Sequence, residues 1–159
     1  MPHSSTASAA WRHSPMGYWL RLALERFDAR VGELMAQDPG LPLGLSNLVA
    51  RAQVGAAHIH ITRHLPPQGA RLTELAQQAG MSKQAMGSLV RQCEAWGMVT
   101  RTSDPHDARA RTVRFTEVGL AWLAAYQVAT LQAHSELQAA VGTEVATVMA
   151  LGLEAYAAH

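Results

Sequence analysis

The residues best suited to chemistry lie in one charged stretch, RTSDPHDARARTVRF, from Arg101 to Phe115. Two strand-like pieces, MVTRT and RTVRF, flank a polar loop that holds two Asp and a Pro, with an Arg at its far end. Nothing in that loop suits a core, whereas an Arg carried at the tip of a hairpin can enter the minor groove of DNA. Just upstream, SKQAMGSLVRQ sets Ser82, Lys83, Gln84, Gly87, Ser88 and Arg91 on the outward side of a helical pattern. Hydroxyl, ammonium, amide and guanidinium groups read base edges or bind phosphate. Small residues at Ala85 and Gly87 would let the backbone come close to a duplex. The competing reading is a solvated helix face and a charged loop with no partner.

Other reactive side chains point less clearly to a task. His58, His60 and His64 resemble a ligand cluster, and His60 and His64 share one helical face at a spacing that suits a divalent ion. That would make a metal-responsive protein. No acid or Cys adjoins them in sequence, so core or surface histidines are favoured and neither a metal nor a cofactor is expected. Cys93 shares a stripe with Met86, Leu89 and Val90 and has no second Cys to resolve an oxidised form, so it reads as a small core hydrophobe. Trp11, Trp19, Trp96 and Trp122 stand mostly at helical spacing and read as core or partner contacts; Trp19 and Trp122, with His58, are candidates to line a pocket for an aromatic effector. No phosphate loop, nucleophile elbow or spaced carboxylate pair is present beyond Asp104 and Asp107, so no enzyme is expected.

The elements that must position these groups can be read from periodicity and punctuation. Residues 1–15, rich in Ser and Ala, predict a disordered tail. MGYWLRLALERFDARVGELMAQ has helical spacing and is stopped by DPGLPLG. A second helix is expected over LSNLVARAQVGAAHIHITRHL, ending at PPQG. RLTELAQQAG reads as a short helix with Thr73 as its N-cap and Gly80 as its stop, burying Leu75, Ala76 and Ala79. MSKQAMGSLVRQCEAWG follows with Ser82 as N-cap and Gly97 as its close. Two short helices across a tight turn make a helix-turn-helix. Val113 and Phe115 alternate with Thr112 and Arg114 in the period of a strand with one buried face. Helical patterns resume at Glu117 and, after Gly142, run to the end.

Helix, turn, helix and hairpin is the order of a winged helix-turn-helix, whose second helix fits the major groove. The segment LTELAQQAGMSKQAMGSLVRQCEAWGMVTRTSDPHDARARTVRFTEVG resembles the DNA-binding core of the MarR family of bacterial transcriptional regulators. The resemblance implies that Arg109 enters the minor groove and that Asp107 orients it. It also implies an obligate homodimer that binds a near-palindromic operator and, in many members, leaves DNA when an aromatic small molecule binds. The family's usual Asp-Arg-Arg stands here as DAR, which removes a wing charge at Ala108; Arg111 can compensate.

The expected protein is mainly α with a small β-hairpin wing. Its parts are a tail over 1–15, an N-terminal dimerisation helix over 16–45, a winged helix-turn-helix over 46–116 and C-terminal dimerisation helices over 117–159. Thr73, Ser82, Lys83, Gln84, Ser88, Arg91, Asp107, Arg109 and Arg111 form the expected DNA-facing set. Charge supports this division. Residues 71–116 hold seven basic against four acidic side chains, while residues 117–159 hold four Glu and no Lys or Arg. The last region, with Leu120, Leu123, Leu131, Leu137, Val145, Val148 and Met149, offers more apolar surface than two helices can hide, and a second copy would cover it. The expected partners are double-stranded DNA, a second copy and a small effector. No membrane contact is expected, since no run is apolar enough for a spanning helix, and the expected place is the cytoplasm. The alternative from another class is a winged-helix module that docks on proteins and never touches DNA.

Overall fold

The computed structural model describes residues 15–50, 56–104 and 107–158, without the side chains of residues 15, 50, 56–57, 59–60, 104 and 107–110. Trp11 and nearly all of the expected tail lie outside the described residues. Helix α1, Pro15–Ala36, is followed by α2, Leu43–Ala50, and α3, Ala56–His64. A short strand β1, Ala70–Arg71, leads into α4, Leu72–Gln78, and α5, Lys83–Ala95. Strands β2, Val99–Asp104, and β3, Asp107–Phe115, precede two closing helices, α6, Glu117–Val141, and α7, Thr143–Ala157.

Where α1 stops, the Asp38 carboxylate accepts from the Gly40 N–H at 2.7 Å, so the DPG turn satisfies itself. The single helix expected over 45–65 stands instead as α2 and α3, with residues 51–55 between them outside the described set. In α4 the expected N-cap, Thr73, is one residue inside the helix; Arg71 holds the cap position. The reason is that β1 hands directly to the helix, and the Glu74 carboxylate reaches back to the Arg71 N–H at 3.0 Å. Ser82 caps α5 as expected, its Oγ accepting from the Ala85 N–H at 3.2 Å.

The sheet has three strands in the order β1-β3-β2, all antiparallel. The strand absent from the sequence reading is β1, two residues long and too short to show any period. It pairs Ala70 with Val113 and Arg71 with Thr112. Gly69, at φ +89, makes the pairing possible: a Cβ there would stand 2.6 Å from Arg114 Cγ and 2.7 Å from the Val113 carbonyl oxygen. Thr112 is therefore buried although it lies on the side of the strand expected to face water.

One cluster forms the core. Leu75, Met86, Val90 and Cys93 of the helix-turn-helix meet Ile61 of α3, Val99 and Val113 of the sheet and Trp122 of α6. Val31 and Met35 of α1 join Ala125, Ala129 and Ala133 of α6 in the same cluster, and small Ala residues on α6 allow close helix packing.

Candidate nucleic-acid interface

The outward face of α5 is built by the same spacing that builds its inward one. Met86, Val90 and Cys93 are fully buried, and Leu89 and Trp96 pack against them. That leaves Gln84, Ser88 and Arg91 exposed along the opposite side, with Ser82 and Lys83 exposed at the helix's start and Thr73 on the first turn of α4. The structure thus gathers this part of the expected set on one helix-turn-helix surface. Gly87 departs from expectation. It is buried, not outward, because it faces Leu72 of α4 across the helix pair. Arg91 also lies over it, with Nη1 3.7 Å from the place a Cβ would take, an ordinary contact distance. The guanidinium lies back one turn along the helix, the usual direction of a long helical side chain.

The wing follows. From Val99↔Phe115 to Ser103↔Arg111 the two long strands pair residue for residue; the register then shifts, and Asp104 pairs with Asp107. Arg111 is exposed beside Ser103. Asp107 and Arg109 lie on the backbone of β3, but their side chains are outside the described residues, as is that of Ala108. At the root of the hairpin, Arg101 Nη2 stands 3.1 Å from Glu94 Oε2, joining the wing to the last turn of α5. Their pairing was not legible in the sequence, because an ion pair seven residues apart across a turn has no period.

Behind the interface, three expected pocket residues occupy two places. His58 on α3 is buried; its Nε2 is 2.8 Å from Gln92 Oε1 of α5, and its ring stands 4.6 Å from that of Trp96. Trp122 is buried too, and its indole N–H donates to Thr62 Oγ1 at 3.1 Å, while Thr62 donates in turn to the His58 carbonyl. His58 and Trp122 are thus joined through Thr62, across α3, α5 and α6. Trp19 is 63% exposed on α1, set edge-to-face against Tyr18 at 5.2 Å, apart from the Thr62 link that joins the other two. Of the three histidines, His58 is occupied by Gln92, and the side chain of His60 is outside the described residues. Among the described residues no group of three His, Cys, Asp or Glu is placed to hold a metal ion. Burial pushes the Cys93 thiol up to about 12, which keeps it protonated and unreactive.

Away from this surface, Arg30 of α1 grips Glu136 of α6 with two hydrogen bonds of 2.7 and 2.9 Å and reaches Glu33 with a third. The Arg30 bonds, helped by Gln132, hold the Glu136 carboxyl down at about 2. No described helix is long and apolar enough to cross a membrane.

Residues 59–110, from α3 to the wing, match the model of the MarR family. No curated protein matches the chain. Among solved structures, the chain is similar to the transcriptional repressor CouR bound to a 23-mer DNA duplex, at 24% identity and a TM-score of 0.61, covering 92% of this chain and 96% of that one. CouR from Rhodococcus jostii RHA1 bound to p-coumaroyl-CoA gives 18% identity and a TM-score of 0.63 over 91% and 92% of the two chains. The MepR F27L mutant of S. aureus bound to an oligodeoxyribonucleotide gives 14% and 0.57 over 90% and 96%.

Proposed function

Taking as premise that the chain is a winged-helix protein of the MarR family, we propose that it is a homodimeric transcriptional repressor. Its α5 helices enter successive major grooves of a near-palindromic operator, Arg109 of each wing enters the minor groove, and an aromatic small molecule releases the complex. The observation that carries this reading is the division of α5. Its inner stripe is wholly used by the core, while Ser82 and Lys83 at its start and Gln84, Ser88 and Arg91 along its outer face are exposed, beside a hairpin that carries further Arg. Those are groups that read bases and phosphates, and a protein-docking face would carry apolar residues there. CouR and MepR, which share the fold, are bound to DNA in their own structures, and CouR also binds an aromatic CoA thioester.

A dimer is supported by the closing helices. Leu120, Val128 and Leu131 on α6 and Val145, Val148, Met149, Leu151, Leu153 and Tyr156 on α7 are all exposed in the single chain. Large apolar side chains exposed in that number on two neighbouring helices suit an association site.

The test is retardation of duplex fragments from upstream of the protein's own gene, repeated across salt. Neutralising about 6–10 phosphates makes affinity fall by orders of magnitude between about 50 and 200 mM salt. A flat salt response, or no retarded fragment, favours the protein-docking module instead. Aromatic acids and their thioesters are then added to the bound complex. Release by one of them, abolished by a bulky substitution at His58, supports the effector; no release by any removes it.

A further inference from the structure

The motif TEVG at the start of α6 is left over once the core and the α5 face are accounted for. Thr116 caps α6, with its Oγ accepting from the Gly119 N–H at 3.1 Å. The same hydroxyl donates across to the Gly97 carbonyl at 2.5 Å, with the Met98 carbonyl also in reach at 3.2 Å. The Thr116 N–H donates to Met98 O at 3.0 Å. Gly97 and Met98 are the residues that end α5: Gly97 stands at φ +73, and the N–H groups of Gly97 and Met98 close the helix onto Glu94 and Cys93. Gly119 completes the joint. A Cβ there would overlap the Met98 carbonyl oxygen and stand 2.9 Å from Phe115 Cδ1. The first turn of α6 therefore rests directly on the backbone that ends α5.

We infer that Thr116 and Gly119 are positioning residues for DNA recognition: they fix the angle of α5 to α6, and so the spacing between the two recognition helices of the dimer. This rests on the dimeric DNA-binding reading proposed above. A cap needs only the bond to Gly119. The additional bond to Gly97 reaches another element, and the absent Cβ removes the slack between them. A rigid dimer reads two half-sites only at the separation its own geometry sets, so a loosened joint weakens operator binding and also tolerates wrong separations.

The experiment uses a duplex selected by the wild-type protein from a random pool, and the same duplex with one base pair inserted or removed at its centre. Binding is measured well below the melting temperature for wild type, Thr116→Val and Thr116→Ser, with dimerisation checked by sedimentation. The wild type discriminates against the altered duplexes. Thr116→Val, which keeps the shape and loses the hydroxyl, is expected to bind the parent duplex about tenfold more weakly, the scale of one or two lost hydrogen bonds, and to lose most of that discrimination while remaining a dimer. Thr116→Ser keeps the hydroxyl and restores both. Gly119→Ala is the harsher variant, and if it does not fold the Val and Ser pair still decides. A Thr116→Val dimer with wild-type discrimination means that the hydroxyl is only a helix cap, and the inference fails. If the wild type selects no duplex, the DNA reading itself fails first.

Discussion

Within the helical frame of α1, α6 and α7, the last helix buries its apolar residues differently from the winged-helix part. From α3 to β3, Ile61, Leu75, Met86, Val90, Met98, Val99 and Val113 are each at most 3% exposed. On α7 only Ala146 is buried, while Val148 is 69% exposed and Tyr156 83%. One region closes a core within a single chain. The other has the composition of a core and the exposure of a surface, a conflict that the proposed dimer would resolve. The polar groups show the complementary pattern. In the winged part Arg63, Lys83, Arg91, Arg111 and Arg114 are exposed, while the closing helices carry no Lys or Arg after Arg114. Charge thus collects where phosphate is proposed to bind and is absent where a second chain is proposed to pack.

The strongest way to break this contrast is Leu131→Glu. Leu131 is exposed, so the single chain should fold as before. If a twofold partner covers it, two unpaired carboxylates enter the interface, each costing about 3–5 kcal/mol. Sedimentation should then show monomer at concentrations where the wild type is dimeric. A variant that stays dimeric puts the interface elsewhere.

Next in size is Trp122→Ala. The indole is fully buried and its N–H bonds Thr62, so the frame reaches into the winged part here. The expected loss of folding stability is about 3–5 kcal/mol, from the cavity and an orphaned hydroxyl. Calorimetry showing a loss under about 1 kcal/mol would mean that the two parts are less coupled than this contact implies.

The wing sharpens the comparison at a smaller scale. Arg109→Ala should weaken operator binding by about 1–3 kcal/mol with melting unchanged. Asp107→Ala removes a negative charge near phosphate, so bulk electrostatics alone would tighten binding. If Asp107 braces Arg109, it weakens binding instead, and adds little once Arg109 is already Ala. Tighter binding by Asp107→Ala makes the Asp a solvated loop residue.

The smallest effect is titration of the frame. Glu136 ionises near 2 in the folded protein against an ordinary value near 4.5. Its folded value is depressed, so its contribution is complete above about 4.5 and is lost as pH falls toward 2. Glu136→Gln should flatten the acid limb of the melting curve slightly, since both partners are well exposed. An unchanged limb would mean that the α1–α6 bridge adds nothing.

What the sequence made legible follows from the range of each interaction. The α4–α5 pair, its Ser82 cap, the Met86–Val90–Cys93 stripe and the Gly97 stop rest on contacts within a few residues, and periodicity displays those. The β1 strand, the burial of Gly87 and the Thr116–Gly97 joint depend on partners far along the chain. Thr73 failed as a cap because a strand, invisible at two residues, moved the helix start to Arg71. Nor could spacing show that Trp122 reaches His58 through Thr62, a hydroxyl 60 residues away, while Trp19 stands exposed on α1. The TEVG motif was in plain view, yet its Gly signifies close approach only once Met98 is seen beneath it.

The most direct measurement is sedimentation of the wild-type protein, alone and with a duplex that it selects from a random pool. The account predicts a dimer of the 17.1 kDa chain that takes up one duplex as a two-to-one complex. A monomer that binds no duplex would contradict it, because neither the exposed apolar helices nor the polar face of α5 would then have the partner assigned to it.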